Sequence, residues 1–261
     1  MPEGDTVFLA ATRLRAALAG QTLARTEFRV PRFATADLTG RVVEDVGSRG
    51  KHLLVRIGGG VTLHTHGKME GAWHLYRPGE RWRGPGWQVR VLLETVPWIA
   101  VGFRLAVAEL IDTAREGEVL AHLGPDPLGP DWDPAEALRR LLARPERPIG
   151  EALLDQRVMA GPGNVWKCEL CFLRGVDPWT PVARVPQPER LVDLVKRLFD
   201  ANRTTGSHIT TGDARPGRTH WVYGRGGAPC LRCGTRIRVR ASGDPERITY
   251  WCPRCQPPPS G

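Results

Sequence analysis

The hydrophobic positions of the chain change their period twice. Between Thr6 and Leu18 apolar residues recur at helical spacing, which predicts one amphipathic helix that stops at Gly20. From about residue 22 to residue 110 the apolar runs are short and are broken by Gly and Pro. Among the predicted strands are Arg41–Val46, His52–Ile57, Val61–His66, Trp73–Tyr76, Gln88–Leu93 and Ile99–Phe103. Several short strands at such close spacing favour a β-sandwich or a barrel.

The helical period returns in the second half of the chain. A stretch rich in Pro and Gly, Leu123–Pro134, marks a domain boundary. The helices predicted after it are Pro134–Ala143, Pro148–Asp155, Gly163–Leu173 and Pro188–Asn202. A linker-like segment and a tail with four Cys follow, and the last residues, QPPPSG, are expected to be disordered. The pattern therefore predicts an α+β multidomain protein whose three domains comprise residues 1–122, 123–216 and 217–261.

Composition and charge restrict the class of protein. The 261 residues are 41% hydrophobic and 25% charged, which is ordinary for a chain with a proper core. The sequence has no run of about 18 apolar residues, so we expect no membrane-spanning helix. Its acidic opening does not resemble a secretory signal, so we expect the protein to be located in the cytoplasm. The net charge is +9, and the segment from Gly217 to the end carries eight Arg against two acidic residues. This surplus favours a polyanionic partner such as nucleic acid.

The cysteines predict a zinc ribbon. Cys230 and Cys233 form one CxxC pair, Cys252 and Cys255 form another, and 18 residues separate the two pairs. This spacing is typical of a structural Zn²⁺ site, because each tight turn points two thiolates at one ion. Residues 235–240 and 247–251 alternate like the strands of a hairpin between the pairs. Cys168-Glu-Leu-Cys171 is a third CxxC, but it lies in a predicted helix with no matching pair, so we interpret its thiols as small buried residues.

The first residues offer a nucleophile. Pro2 is a small residue after the initiator Met, so we expect the mature chain to begin with Pro2. A terminal amine has a pKa near 8, far below that of Lys, and a secondary amine forms a permanently cationic iminium with an aldehyde carbon. Glu3 beside it could move protons. Taken alone, this pair is more typical of an ordinary processed terminus.

Four features together resemble one known family. The opening MPEGDTV and the zinc ribbon are similar to those of the formamidopyrimidine-DNA glycosylase/endonuclease VIII family, in particular its endonuclease VIII-like branch. Residues 155–166, DQRVMAGPGNVW, resemble the helix–two-turn–helix signature of the family. Residues 48–54, SRGKHLL, resemble its catalytic β-hairpin lysine segment. These pieces follow the family's order from Pro2 to Cys255, which makes the resemblance very specific.

The resemblance implies a bifunctional DNA glycosylase/AP lyase of base excision repair. It further implies an N-terminal helix with a β-sandwich, a helix–two-turn–helix domain and a zinc ribbon, with DNA in the cleft between the first two domains. In this interpretation Pro2 attacks C1′ of the damaged nucleotide, and β- and then δ-elimination cut the strand. The residues implied in catalysis are Pro2, Glu3, Lys51 and Arg247. Those implied in DNA binding are Lys51, His66, Lys68, Met69, Glu70, Asn164 and Arg247.

Two departures from the pattern of the family's formamidopyrimidine branch bear on the substrate. In that branch the opening is usually PELPE and an Arg-x-Phe pair helps to fill the gap, whereas here the opening is PEGDT and the region Ile99–Ala108 has no such pair. Both favour oxidised pyrimidines over 8-oxoguanine, which stays open as the alternative. Lys68-Met69-Glu70 also differs from the Gln-Leu-Tyr of the branch's best-known member, so the gap-filling residues stay open. His64 and His66 could be a metal pair, but the sequence shows no carboxylate or third His spaced to complete such a site.

The expected partners follow from this interpretation. They are damaged double-stranded DNA, with single-stranded or bubble DNA left open, and one structural Zn²⁺. The chain is expected to act as a monomer, without a membrane, in the bacterial cytoplasm at the nucleoid. A non-catalytic damaged-DNA-binding module remains a rival interpretation, but it leaves the intact Pro2, Glu3 and Lys51 without a role. A zinc-ribbon transcription or RNA-binding factor leaves the N-terminus unexplained.

Overall fold

The computed structural model describes residues 2–242 and 244–259, with the side chains of residues 242 and 244–247 excepted. The chain forms two compact units. The first comprises Val7–Ala121 with the residues before Gly4, and the second comprises His122 onward together with Gly4–Thr6. Among the described residues, no helix has the length and apolar character needed to cross a membrane.

Helix α1 (Gly4–Leu18) and two antiparallel four-stranded sheets build most of the first unit. The strands are β1 (Arg25–Phe28), β2 (Val43–Arg49), β3 (His52–Ile57), β4 (Val61–His66), β5 (Ala72–Tyr76), β6 (Val89–Glu94), β7 (Ile99–Phe103) and β8 (Val107–Asp112). The first sheet has the order β1-β6-β7-β5 and the second has the order β2-β3-β4-β8. A short helix, α2 (Glu116–Leu120), follows the last strand.

Alternating residues of the strands place one face of each sheet in a shared core. In β3, Leu53, Val55 and Ile57 are buried there, and so are Leu14 and Leu18 of α1. Burying each such side chain contributes about 1.5–3 kcal/mol to folding. The other face of the second sheet carries polar side chains, because residues that alternate with the core positions point away from it. The predicted N-terminal helix and β-sandwich are confirmed.

The second unit contains four helices in its described part. They are α3 (Pro134–Leu142), α4 (Ile149–Leu154), α5 (Asn164–Leu173) and α6 (Pro188–Asn202). The sequence at the start of α3 explains why it begins there: Asp133 Oδ1 accepts hydrogen bonds from the backbone N–H groups of Ala135 and Glu136, and Pro134 occupies the first helical position. Apolar faces of the helices pack around Trp166 and Phe199.

The cysteine-bearing segment adds a hairpin to the second unit. Strands β9 (Arg238–Ser242) and β10 (Asp244–Trp251) pair antiparallel, with a register irregularity between Asp244 and Thr249. Buried side chains of this segment, among them Val222 and Ile237, pack with Phe172 of α5. The predicted hairpin is therefore present. The division into three domains stays a prediction.

Three elements of the first unit were not named individually from the sequence pattern. Strand β1 has the sequence RTEF and strand β8 has the sequence VAELID, and neither shows a fully buried run. Both are edge strands that hydrogen-bond to one neighbour only, so their polar residues are tolerated. Helix α2 has only five residues, which is too short for a recognisable helical period.

Candidate active site and metal centre

Pro2 lies against a tight turn of the first unit. A Cβ on Gly67 would lie 3.2 Å from Cγ of Pro2 and only 2.6 Å from the carbonyl oxygen of Gly71. The N–H of Gly71 donates to the carbonyl oxygen of Gly67 at 2.8 Å, which closes the turn. Only glycine fits at both ends of this turn, because each would place a Cβ on the backbone of the other. Pro2 therefore packs on the 67–71 turn.

This turn carries three of the residues that the resemblance implies in DNA binding, Lys68, Met69 and Glu70. Lys68 and Glu70 are exposed and Met69 is half-buried outside the apolar core, so the structure places all three where they could reach a ligand. Lys68 has a φ of 46°, a left-handed conformation that is uncommon for residues with a side chain. Glu70 is paired with Arg104, with Oε2 and Nε 3.7 Å apart. The negative charge of Glu70, a residue implied in DNA binding by the resemblance, is therefore offset by the positive charge of Arg104.

Lys51 and His66 belong to the same end of the second sheet. Lys51 follows Gly50 in the turn between β2 and β3, and His66 ends β4. Burial, together with the charges of Lys51 and Lys68, lowers the pKa of His66 to about 4, so the ring is neutral at neutral pH. Nδ1 of His66 accepts the N–H of Lys68 at 2.9 Å. The ring proton therefore resides on Nε2, which can donate to an oxygen anion.

Glu3 occupies a fully buried position at the start of α1. Its carbonyl oxygen accepts the N–H of Val7 at 2.9 Å, so the first hydrogen bond of the helix fixes the backbone directly after Pro2. The two residues predicted to be catalytic at the N-terminus therefore precede a regular helix. A buried carboxylate at this position is suited to proton transfer, provided that a substrate atom comes within hydrogen-bond distance.

Asp5, two residues further on, was not recognised from the sequence. In the second unit its Oδ1 accepts the indole N–H of Trp166 at 3.1 Å, and its Oδ2 accepts from Nδ1 of His208 at 2.8 Å. All three side chains are buried. Since 203 residues separate Asp5 from His208, no local pattern reveals this pair.

The glycine-rich turn before α5 is held by one side chain. Gln156 donates to the carbonyl oxygen of Pro162 at 2.8 Å and accepts the N–H of Gly161 at 3.0 Å. Gly161 has a φ of 113°, and a Cβ there would lie 2.9 Å from the ring of Phe199. The turn leads to Asn164, whose Nδ2 donates to the carbonyl oxygen of Ile248 in β10 at 2.9 Å.

Two further residues of α5 contact the same strand, and together with Asn164 they form what we call the α5–β10 joint. Nζ of Lys167 is buried and donates to Oγ1 of Thr249 at 2.7 Å. Sγ of Cys168 accepts the N–H of Tyr250 at 3.5 Å. Arg247 lies on β10 next to Ile248, but its side chain is outside the described residues. The prediction that Cys168 and Cys171 are small buried helix residues is confirmed.

The four cysteines of the predicted ribbon converge on one point. The Sγ atoms of Cys230, Cys233, Cys252 and Cys255 all lie within 4.8 Å of one another. The Sγ atoms of Cys230 and Cys255 are 4.0 Å apart, and those of Cys233 and Cys252 are 3.5 Å apart. Four thiolates about 2.3 Å from one tetrahedral ion would be about 3.8 Å apart, so the donor set fits a metal. Burial raises the pKa of Cys255 to about 12, and its sulfur neighbours add to the effect. A cation would offset that cost.

His64 has partners that the sequence analysis overlooked. Its Nδ1 is 2.8 Å from Oε1 of Glu109, and its Nε2 is 2.8 Å from Nδ1 of His52. A carboxylate and a third His therefore do lie beside His64, contrary to the reason given above for rejecting a metal pair. They hydrogen-bond to one another, and among the described residues only the four cysteines converge closely enough to hold a metal.

Comparisons with known proteins agree with these features. The model of the formamidopyrimidine-DNA glycosylase N-terminal domain matches residues 1–106, and that of the formamidopyrimidine-DNA glycosylase H2TH domain matches residues 123–209. The chain is 56% identical to the probable endonuclease 8 2 of Streptomyces coelicolor, covering 100% of this chain and 95% of the relative. It is 51% identical to the DNA-(apurinic or apyrimidinic site) lyase Nei2 of Mycolicibacterium smegmatis, covering 98% and 99%.

Solved structures show the same fold. The Lactococcus lactis formamidopyrimidine-DNA glycosylase, bound non-covalently to DNA containing an AP site, superposes with a TM-score of 0.82 at 24% identity. The alignment covers 98% of this chain and 99% of that one. The match to the two family models and the identity to full-length relatives lead to one conclusion: the chain belongs to the formamidopyrimidine-DNA glycosylase family.

Proposed function

We propose that Pro2 is the nucleophile with which this chain, a DNA glycosylase and AP lyase of base excision repair, removes oxidised pyrimidines from DNA. The observation that carries the proposal is the packing of Pro2 on the 67–71 turn, which follows His66 directly. Lys51 is close enough to His66 to lower its pKa. The candidate nucleophile Pro2 therefore lies near two groups suited to binding a phosphate.

The chemistry follows from the secondary amine. The Pro2 nitrogen bonds to C1′ of the damaged nucleotide, the bond from C1′ to the base breaks, and the base leaves with a proton. Opening of the sugar ring gives a cationic iminium, which draws electrons from C2′ and acidifies its hydrogen. Loss of that proton expels the 3′ phosphate, and a second elimination expels the 5′ phosphate. Glu3 is the proposed proton-transfer group for these steps.

The remaining residues bind DNA in this proposal. Lys51 contributes a positive charge and neutral His66 contributes its Nε2–H to phosphate oxygens. In the second unit, the second Nδ2 hydrogen of Asn164 and the N-terminus of α5 can serve another phosphate. Arg247 on β10 is proposed to bind a further phosphate, since the α5–β10 joint holds the residues that follow it.

The metal is proposed to be one structural Zn²⁺. Cys230, Cys233, Cys252 and Cys255 would hold it, and the sulfur-only donor set favours zinc over harder cations. Zinc at this position would fold the hairpin that carries Arg247 and would take no part in the reaction. All steps of bond breaking are assigned to the N-terminal residues.

The preference for oxidised pyrimidines is supported by the loop that follows β7. Arg104 directly follows Phe103, so the Arg-x-Phe spacing is absent. Arg104 instead pairs with Glu70. The Streptomyces coelicolor relative is named as a probable endonuclease 8, which agrees with the same branch. Duplex DNA with one damaged base is therefore the proposed substrate, and 8-oxoguanine is the alternative.

Borohydride trapping tests this proposal. The full chain is incubated with duplexes containing thymine glycol, 8-oxoguanine or an abasic site, sodium borohydride is added, and the adduct is mapped by mass spectrometry. We expect a deoxyribose remnant on Pro2 and faster trapping on thymine glycol than on 8-oxoguanine. The chain has only four Lys, so an adduct on any of them is readily distinguished. An adduct on Lys51, or an active chain that retains its initiator Met, would show that Pro2 is not the nucleophile.

A further inference from the structure

A line of titratable side chains crosses three strands of the second sheet on the face opposite the apolar core. Leu53 and Val55 of β3 enter that core, so His52 points to the other face. In the register of the sheet His52 pairs with His66, and His64 pairs with Glu109 of β8. The polar residues therefore lie side by side across β3, β4 and β8.

Hydrogen bonds connect three of these residues, and we call them the histidine chain: His52, His64 and Glu109. Nδ1 of His52 is 2.8 Å from Nε2 of His64, and Nδ1 of His64 is 2.8 Å from Oε1 of Glu109. The rings of His52 and His64 are stacked with centroids 5.0 Å apart. His64 is only 4% exposed, so both of its ring nitrogens need partners within the protein.

The carboxylate determines the position of every proton in this chain. An ionised Glu109 only accepts hydrogen bonds, so Nδ1 of His64 must carry the hydrogen between them. Nε2 of a neutral His64 is then an acceptor, and Nδ1 of His52 must donate to it. The remaining nitrogen of His52, Nε2, is left as the acceptor of its ring. One carboxylate at the far strand thus selects the tautomer and the orientation of two imidazole rings.

The chain ends at the proposed catalytic hairpin. His52 follows Lys51 directly in the sequence, and the edge of its ring meets His66 with centroids 4.8 Å apart. A change in the orientation of His52 would therefore shift both phosphate-binding groups. We propose that Glu109, acting through His64 and His52, is a positioning residue that holds Lys51 and His66 in the geometry needed for strand cleavage. This inference rests on the proposed roles of Lys51 and His66.

The same sheet face provides a matched control. Glu116 accepts hydrogen bonds from Arg56, a β3 residue far from the hairpin, at 2.7 to 3.1 Å, and from Thr62 of β4. Removing Glu116, which begins helix α2, deletes a partly buried carboxylate that bonds to the same sheet face without touching the histidine chain. If Glu109 served only the stability of the sheet, its removal would lower the free energy of unfolding, as removal of Glu116 would, without a specific loss of cleavage rate.

The test measures single-turnover cleavage of an abasic duplex and the Kd for the same duplex. We expect Glu109→Ala to slow cleavage by about tenfold or more, because small misplacements of positioned groups are costly. The Kd should change by less than about threefold, because the charge of Lys51 is retained. Glu109→Gln, which can still accept from Nδ1 of His64, should recover most of the rate. Glu116→Ala should leave the rate within about twofold of the wild-type rate, since the control lies outside the chain.

Three results would overturn the inference: equal slowing by Glu109→Ala and Glu116→Ala, a loss confined to Kd, or a Glu109→Gln variant as slow as Glu109→Ala. His64→Ala should match Glu109→Ala, and the double variant should be no slower than either, because one chain is broken in each case. Additive losses would also argue against it. If the wild-type chain does not cleave abasic DNA at all, the proposed function fails and the inference has no reaction to act on.

Discussion

The histidine chain and the α5–β10 joint hold functional residues in two different ways. In the first unit, side chains bond to side chains, and the position of each ring proton in the line depends on the acceptor that Glu109 offers to His64. In the second unit, Asn164 and Cys168 bond to backbone atoms of β10, next to a cysteine cluster suited to a metal. Backbone bonds and thiolate–metal bonds do not change with the tautomer of a ring. The comparison indicates that the orientation of the functional residues depends on ring tautomers in the first unit, and mainly on bonds to the backbone of β10 in the second.

The largest expected effect is confined to the second unit and leaves the first unit unchanged. Cys252→Ser removes one of the four proposed zinc ligands. We expect the variant to lose both the zinc and the folded hairpin, because structural zinc contributes about 10–16 kcal/mol of apparent binding free energy in small domains. Zinc content by elemental analysis and hydrogen exchange of β9 and β10 would measure this. Exchange in β3 and β4 should not change. Cys171→Ser, at a buried thiol outside the cluster, should keep its zinc; zinc loss in both variants would refute the assignment.

A smaller effect tests whether the joint depends on its buried amine. Lys167→Met should lower the free energy of unfolding by about 1–3 kcal/mol, because Thr249 then keeps a buried hydroxyl without its donor. Adding Thr249→Val should restore part of the loss, as seen in denaturant unfolding. Lys196→Met, which breaks a half-exposed pair with Asp200 and a hydrogen bond to the carbonyl oxygen of Pro127, should cost less than about 1 kcal/mol. If the two lysine substitutions lowered the free energy of unfolding equally, the buried bond of the α5–β10 joint would contribute no more to stability than an exposed ion pair.

The smallest expected effect concerns protonation in the first unit. The pKa of His66 is about 4 in the folded chain, against 6.5 for the ordinary side chain. Between these values the unfolded chain binds a proton that the folded chain does not, so stability falls as the pH is lowered from 6.5 to 4. His66→Gln should flatten this decline by about 1 kcal/mol, allowing for partial exposure. Parallel stability curves for the two proteins across this window would contradict the burial of a neutral ring.

Much of the architecture could be predicted from the sequence, for identifiable physical reasons. Long apolar periods and Pro at helix starts located α3 and α6 almost to the residue. The two CxxC pairs predicted a cluster of four sulfurs, because their spacing alone restricts the geometry. Pro2 and the hairpin around Lys51 emerged from the resemblance, and the structure adds the turn on which Pro2 packs.

The parts that could not be predicted depend on pairing between distant residues. Glu109 belongs to β8, an edge strand without a strong apolar pattern. Its pairing with His64 could therefore not be predicted from the sequence. Asp5 and His208 form a buried pair across nearly the whole chain. Arg104 approaches Glu70 only because two turns meet. Periodicity reports which face is buried, whereas these contacts depend on register and on loops.

The approach of Gly4 to Gly161 has a consequence for how this chain can vary. The N–H of Gly4 donates to the carbonyl oxygen of Gly161 at 3.0 Å, and a methyl group on Gly4 would lie 2.7 Å from the α-carbon of Gly161. Neither position has space for even the smallest side chain, although 157 residues separate them in the sequence. The two glycines are kept for different reasons: Gly4 is restricted by the backbone that it crosses, whereas Gly161 is restricted by its φ of 113° and by the ring of Phe199, 2.9 Å from where a Cβ would lie. A lineage that keeps this backbone crossing must therefore retain Gly4, whereas a smaller residue in place of Phe199 would relieve only part of the restriction on Gly161.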